Sequence, residues 1–300
     1  MSIKNFAELI EQSSHRGERN RVAVVGAEDS HALEAVLLAQ KNNIVTSILV
    51  GNRKAVIECL EELGHSPQEV VIIDSTGPEE SAQIAAQLIN SEQADFIMKG
   101  KIGTSQLMKV MLQKENHLRT DRIMSHIAFV EVPTYHKLFA VSDVALNPYP
   151  SLEHKKQIIE NAVAAMKKMG IVMPKVAVMS SAEDINPKVP ESVEASKLKE
   201  MWQAGQIADC IIEGPISYDL AVSKEACEIK NYCSPVAGDV DLMIVPNITA
   251  GNLLAKALMY SAGFKSAGFV VGAKVPIALS SRSATAEEKY MALVLAASAC

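Results

Sequence analysis

Aromatic side chains are scarce in this sequence, at 4% of 300 residues with a single tryptophan, so any core must be aliphatic. Apolar residues still make up 48%, thirteen methionines among them, which is the balance of an α/β enzyme. The five cysteines, Cys59, Cys210, Cys227, Cys233 and Cys300, form no CxxC pair, which excludes a zinc ribbon and argues against a disulfide framework. No apolar run approaches the roughly 18 residues that span a bilayer. The first 21 residues mix Lys4, Glu8, Glu11, His15 and Arg16 with short apolar stretches and contain no secretory h-region. A cytoplasmic protein with no membrane partner is expected. Positive charge is in deficit, 29 Lys and Arg against 35 Asp and Glu, and the net charge of −6 argues against nucleic acid as a partner. An anionic substrate would need a local basic pocket. The usual fingerprints are missing as well: no GxGxxG follows a strand, no Walker loop is present, and GxSxG, HExxH and EF-hand patterns are absent.

What is present is a rhythm of apolar strand-like runs and helix-periodic segments, the mark of βαβ units around a parallel sheet. Strands are predicted at 21–27, 44–51, 70–74 and 94–98, each followed by a helix, at 30–42, 53–63, 79–90 and 104–114. Between Ile123 and Leu146 two strand-like runs follow each other across Pro133 with no helix between, which reads as an antiparallel edge and a handover between domains. Alternation then resumes, with helices at 151–169, 190–206, 249–261 and 286–297 and strands at 175–180, 209–213, 242–246 and 267–273.

In such sheets ligands bind beyond the carboxyl ends of strands, where glycine lets backbone approach and helix N-termini offer free N–H groups. Four segments fit. Lys99-Gly100-Lys101-Ile102-Gly103-Thr104 offers two cations, two glycines and a hydroxyl; the plainer alternative makes Thr104 an N-cap and leaves the lysines solvated. Arg119-Thr120-Asp121-Arg122 precedes the strand carrying Ser125 and His126, and arginine suits bidentate phosphate binding, though loop charges are commonly only solvated. Asp219, after Glu213-Gly214-Pro215, and Asn247, Gly251 and Asn252, after Val245-Pro246, follow buried strands and serve equally well as turn and cap residues. The run Val275 to Glu288 gathers Ser280, Ser281, Arg282, Ser283, Thr285, Glu287 and Glu288 at one helix start, where Thr285-x-x-Glu288 is also a capping-box pattern.

With these residues in view, the sequence resembles the phosphate acetyltransferase and phosphate butyryltransferase family over nearly its whole length. The family's Val-Pro run, followed by Leu-Ser-Arg-Gly-Cys-Ser and an aspartate seven positions after the catalytic serine, maps without gaps onto Ser281, Arg282 and Glu288. Ser283, Ala284 and Glu288 replace the family's glycine, cysteine and aspartate, and the departures resemble the butyryltransferase branch. Gly100 to Thr104, the loop near Arg122, Pro246-Asn247 and Gly251-Asn252 support the likeness.

The resemblance implies a two-domain α/β fold like that of isocitrate and isopropylmalate dehydrogenases, with mostly parallel sheets flanked by helices. Residues 1–140 plus 267–300 would form the first domain and 141–266 an inserted second one, with the active site between them and a homodimer or higher homo-oligomer as the assembly. The implied reaction exchanges a short acyl group between coenzyme A and inorganic phosphate, with no permanently bound cofactor, no metal, and coenzyme A as substrate. Ser281, Arg282 and Glu288 would be catalytic, with Glu287 the other candidate base. Lys99, Lys101, Thr104, Arg122, Ser125, Asp219, Asn247, Gly251 and Asn252 would contact phosphate or CoA. Two rivals stand beside this reading, a non-catalytic CoA or acyl-phosphate sensor and a metal- and NAD-dependent decarboxylating dehydrogenase, though the aspartate cluster the latter needs is not apparent.

Overall fold

The computed structural model describes residues 2–17, 19–281 and 283–300. Arg282 thus lies outside the described residues. In chain order the strands are β1 (Asn20–Val25), β2 (Val45–Gly51), β3 (Val71–Asp74), β4 (Phe96–Lys99), β5 (Ser125–Glu131), β6 (Phe139–Ser142), β7 (Lys175–Met179), β8 (Ile211–Ile216), β9 (Leu242–Ile244), β10 (Lys265–Val271) and β11 (Ile277–Ala278). The helices are α1 (Phe6–Ser14), α2 (Ser30–Lys41), α3 (Arg53–Glu62), α4 (Pro78–Asn90), α5 (Thr104–Met111), α6 (Leu152–Lys168), α7 (Pro190–Gln203), α8 (Tyr218–Val222), α9 (Lys224–Ile229), α10 (Ile248–Lys256) and α11 (Ala286–Ser298). The chain divides into two compact units, one made of Ala7–Arg122 with Ala267–Cys300, the other of Ile123–Ser266 with the N-terminal residues up to Phe6.

In the first unit the strand order is β3-β2-β1-β4-β11-β10, parallel except for β10 against β11. The strands are short β-branched runs: Val22, Val24 and Val25 of β1 are fully buried, as strands covered on both faces require. Helices begin where the sequence supplies a cap. Asp29 accepts from Ala32 N at 3.0 Å, Asn52 accepts from Ala55 N at 3.0 Å, and Pro78 opens α4, where a missing N–H costs nothing. Helix α11 is apolar on every side, and Leu293, Val294, Leu295 and Ala296 are fully buried. It is a core helix packed on α2, β11 and β4 rather than a surface one.

In the second unit the order is β5-β6-β9-β7-β8. Strands β6, β9, β7 and β8 are parallel and β5 is antiparallel to β6. The antiparallel pair across Pro133 is present, but β6 is no edge, because β9 pairs along its other side. A charge network ties the N-terminal ends of these strands: Lys137, 5% exposed, reaches Asp239 at 2.8 Å and Asp241 at 2.6 Å, while Lys175 and His136 reach Asp239 at 2.5 and 2.8 Å. Burial alone would raise the Asp239 carboxyl, but these bonds outweigh it and hold the group far below the usual carboxylate range.

Helices α1, α8 and α9 and strand β11 have no counterpart among the sequence expectations. Strand β11 has two residues, and the segment around it reads as a loop because Pro276 precedes it and serines follow. Backbone pairing to both β4 and β10 makes it a strand nonetheless.

Candidate active site

The first unit has its topological switch point between β1 and β4: β2 and β3 are added on one side of β1, and β4 lies on the other. Such a point opens a crevice at the carboxyl ends of the strands. Here two backbones cross it in contact. Gly100 N donates to Val25 O at 2.8 Å and Lys101 N to Gly26 O at 2.7 Å. A Cβ on Gly100 would sit 2.2 Å from the Gly26 carbonyl oxygen, and Gly26 itself takes φ of +66°. No side chain fits at the first position and few tolerate the second.

Lys99 ends β4 with its side chain 1% exposed, its Nζ 3.5 Å from Gly100 O, while Lys101 is exposed. Thr104 is not the N-cap. Gly103 holds that place, Gln106 Oε1 accepts from its N–H at 3.2 Å, and Thr104 is the first residue inside α5. Ala278 lies beside Met98, so the loops that follow β4 and β11 leave the sheet as neighbours. Ser281 is on that second loop, exposed, its hydroxyl 3.1 Å from that of Ser283. Glu288 forms the capping box: Thr285 N donates to its Oε2 at 2.7 Å, and Glu288 N donates to Thr285 Oγ1 at 3.2 Å. Both the structural pattern and a position on the same loop cluster as Ser281 therefore coexist in Glu288. Glu287 beside it is exposed.

One feature of this cluster is invisible in the sequence. Lys289, 2% exposed, pairs with Asp29 at 3.0 Å, clamping the start of α11 to the start of α2. Burial would raise the Asp29 carboxyl, but the bond and charge of Lys289 and the Ala32 N–H outweigh it and lower the group. A lysine within an apolar helix gives no hint of a partner 260 residues away.

Arg122 is half-buried and in no ion pair with a described carboxylate. Its loop is anchored at the turn between β10 and β11, where Thr120 Oγ1 donates to Gly272 O at 2.7 Å and Lys274 N to Leu118 O at 2.9 Å. That turn lies at the N-terminal end of β11, so within this unit the loop does not share an edge with Lys99 and Ser281.

In the second unit the switch point falls between β7 and β9, since β8 is added outside β7 and the chain returns to place β9 inside it. A pocket of about 450 Å³ opens there. None of the remaining candidates lines it, although Asp219, Asn247 and Gly251 adjoin lining residues in sequence. Asn247 caps α10, accepting from Ala250 N at 3.0 Å. Gly251 gives α10 a close approach to the loop after β6, for a Cβ would lie 2.8 Å from Asp143 O, and Asn252 Nδ2 donates to Val144 O at 3.3 Å. Asp219 accepts from Ser217 Oγ at 2.6 Å and pairs with Lys230 at 3.0 Å, bonds that lower its carboxyl. Ser125 is wholly buried, its hydroxyl accepting from Asn161 Nδ2 at 3.2 Å, which places it inside the unit rather than on a binding surface. Among the described residues no group of three or more His, Cys, Asp or Glu is placed to hold a metal, and no helix is long and apolar enough to cross a membrane.

Residues 78–297 match the family described as phosphate acetyl/butaryl transferase. A phosphate butyryltransferase of Clostridium acetobutylicum is 37% identical over 295 residues, 98% of either chain. A phosphate acetyltransferase of Thermotoga maritima is 39% identical over 282 residues, 94% of this chain and 96% of the relative. Among solved structures, a branched-chain phosphotransacylase from Enterococcus faecalis superposes with a TM-score of 0.84 at 33% identity, over 93% of this chain and 98% of its own. With a family match across well over half of its length and relatives of this identity from end to end, the chain belongs to the phosphate acetyl/butaryl transferase family.

Proposed function

We infer that the protein exchanges a short-chain acyl group between the thiol of coenzyme A and inorganic phosphate. The observation that carries this is the near-full-length kinship to a phosphate butyryltransferase and a phosphate acetyltransferase at 37% and 39% identity. Two compact units, each with a mostly parallel sheet, suit the isocitrate/isopropylmalate dehydrogenase-like scaffold that we propose for it. Cysteines that form no disulfide fit a cytoplasmic setting, and a homodimer is the assembly we expect, to be read by light scattering.

The reaction runs as a direct transfer with both substrates bound. From acyl phosphate, the CoA sulfur attacks the acyl carbon, the carbon–oxygen bond to phosphate breaks, and the thiol proton leaves with a base. Fixing the two reactants together is worth about 7–11 kcal/mol, which leaves a smaller share to acid–base and charge effects. Glu288 takes the thiol proton. A free carboxylate and a free thiol differ by about four pKa units, roughly 6 kcal/mol, so the thiolate must be stabilised where it forms. Ser281 donates to the developing oxyanion, and Arg282 orients phosphate. Lys99, Lys101 and Thr104, at the crossing of β1 and β4, add positive charge and a donor for the anionic substrates, with Arg122 as a further cation. Asp219, Asn247, Gly251 and Asn252 shape the substrate edge of the second unit. Acyl groups of four carbons, straight or branched, are the preferred substrates in this reading.

The test is thiol release followed with a chromogenic disulfide. Release from butyryl-CoA that needs inorganic phosphate, survives a chelator and needs no nicotinamide supports the transferase. Release that proceeds equally without phosphate would make the protein a thioesterase and overturn the assignment.

A further inference from the structure

The pocket at the second unit's switch point differs in kind from the loops of the first. Its wall is hydrocarbon from Met179, Val245, Pro246, Ala250 and Leu254, and no lysine or arginine lines it. The phosphates of coenzyme A, which carry several negative charges, therefore find no cation there, whereas an alkyl chain sheds water against the apolar part of the lining. The pocket, at about 450 Å³, is many times the ~30 Å³ of a water molecule, and so it admits branched as well as straight short chains. Ser180, Ser181, Glu191 and Tyr218 give the rest of the lining its polar groups. Ser180, immediately after β7, has a buried hydroxyl with no hydrogen-bond partner among the described residues, an arrangement that costs about 1–3 kcal/mol unless something accepts from it. Three pocket residues are sequence neighbours of site candidates: Tyr218 precedes Asp219, Pro246 precedes Asn247, and Ala250 precedes Gly251.

We propose that this pocket seats the hydrocarbon of the acyl group carried by coenzyme A, and that Ala250 and Leu254 set the accepted chain length and branching. The proposal rests on the acyltransferase reading and adds to it the residues that choose the substrate. The three relatives above are named for acetyl, butyryl and branched-chain substrates, so family membership leaves this choice to local side chains. Ala250 and Leu254 lie one turn apart on α10 and face the same cavity, one small and one large. Swapping bulk between them should move the preference in opposite directions.

The experiment compares kcat/KM for acetyl-, butyryl- and isobutyryl-CoA at saturating phosphate in the wild type, Ala250→Leu and Leu254→Ala. Filling the pocket with Ala250→Leu lowers the butyryl-to-acetyl ratio about tenfold, the penalty for two methylenes that stay in water. Leu254→Ala raises the isobutyryl-to-acetyl ratio, and the KM for phosphate stays within twofold in both. Ratios within twofold of wild type in both variants would refute the assignment. Calorimetry separates this failure from failure of the reaction itself. If the wild type transfers nothing, butyryl-CoA binding at least fivefold tighter than CoA, with the difference lost in Ala250→Leu, still upholds the pocket; equal affinities sink it.

Discussion

Glu288 carries two readings at once, and a pair of substitutions pulls them apart. Its carboxylate accepts from Thr285 N at 2.7 Å in a capping box, and it is also the base in the proposed reaction. Glutamine keeps an acceptor at the same reach and is the other residue that completes such a box, so Glu288→Gln preserves the cap. Its stability cost is confined to lost charge at a helix N-terminus, about 0.3–1 kcal/mol. Alanine removes the bond as well and adds about 0.5–1.5 kcal/mol. Turnover responds in another proportion. A general base contributes roughly 10²–10⁴ in rate, or about 3–5 kcal/mol of barrier, and neither variant can supply it. Measured with butyryl phosphate and CoA, kcat should fall at least 100-fold in both variants with KM little changed. Urea midpoints should show Glu288→Gln close to wild type and Glu288→Ala below it. A Gln variant within threefold of wild-type kcat, beside a destabilised Ala variant, would reduce Glu288 to a cap and remove it from the mechanism.

Breaking the clamp at the α11 start should be costly: Asp29→Asn keeps the helix cap but strands a buried ammonium, and urea unfolding should show a loss of about 2 kcal/mol, somewhat under the value for a wholly buried pair because Asp29 is 21% exposed. Lys289→Met should cost less, and the double variant less than the sum. Asp239→Asn probes the network on the second unit. Because the folded-state Asp239 is depressed, its contribution is complete above the unfolded carboxylate value of about 3.9 and declines as pH falls below it. The stability gap between wild type and Asp239→Asn should therefore stay constant from pH 8 to about 5 and close only in stronger acid; a gap that closes near neutrality would implicate another group. Thiol labelling followed by mass spectrometry should mark exposed Cys233 and Cys300 in the native protein. Cys210, buried with its thiol pushed up to about 12, should react only after denaturation.

Much of the scaffold was legible because its elements announce themselves locally. Arg21 to Val25 is a β-branched run, and Asp29, Asn52, Ser151 and Thr285 each precede a periodic segment and cap it. Elements held by tertiary pairing were not: β11 has no propensity of its own, and Gly103 took the cap that Thr104 was a better residue to provide. The same divide runs through the site. Ser281 and Glu288 were proposed through the family resemblance, and Gly100 drew notice by its strand-end position. Ser125 begins a strand buried on both faces, where its hydroxyl accepts from Asn161 Nδ2. Ser180 was read only as the end of a strand, because only the fold reveals that its hydroxyl is buried beside a cavity. Asp29 and Lys289 are ordinary in sequence and become a pair only when α2 and α11 pack.

The burial of α11 on all sides sets an order of events during synthesis. Strands β1 to β4 leave the ribosome first, yet the helix and the short strand that complete their core are made last. The segment from Ile123 to Ser266 is nearly continuous and can acquire its own core in the interval, while the earlier segment waits with an apolar seam open to solvent. Chains halted before residue 267 should therefore be the ones that chaperones hold, however well the later segment has folded.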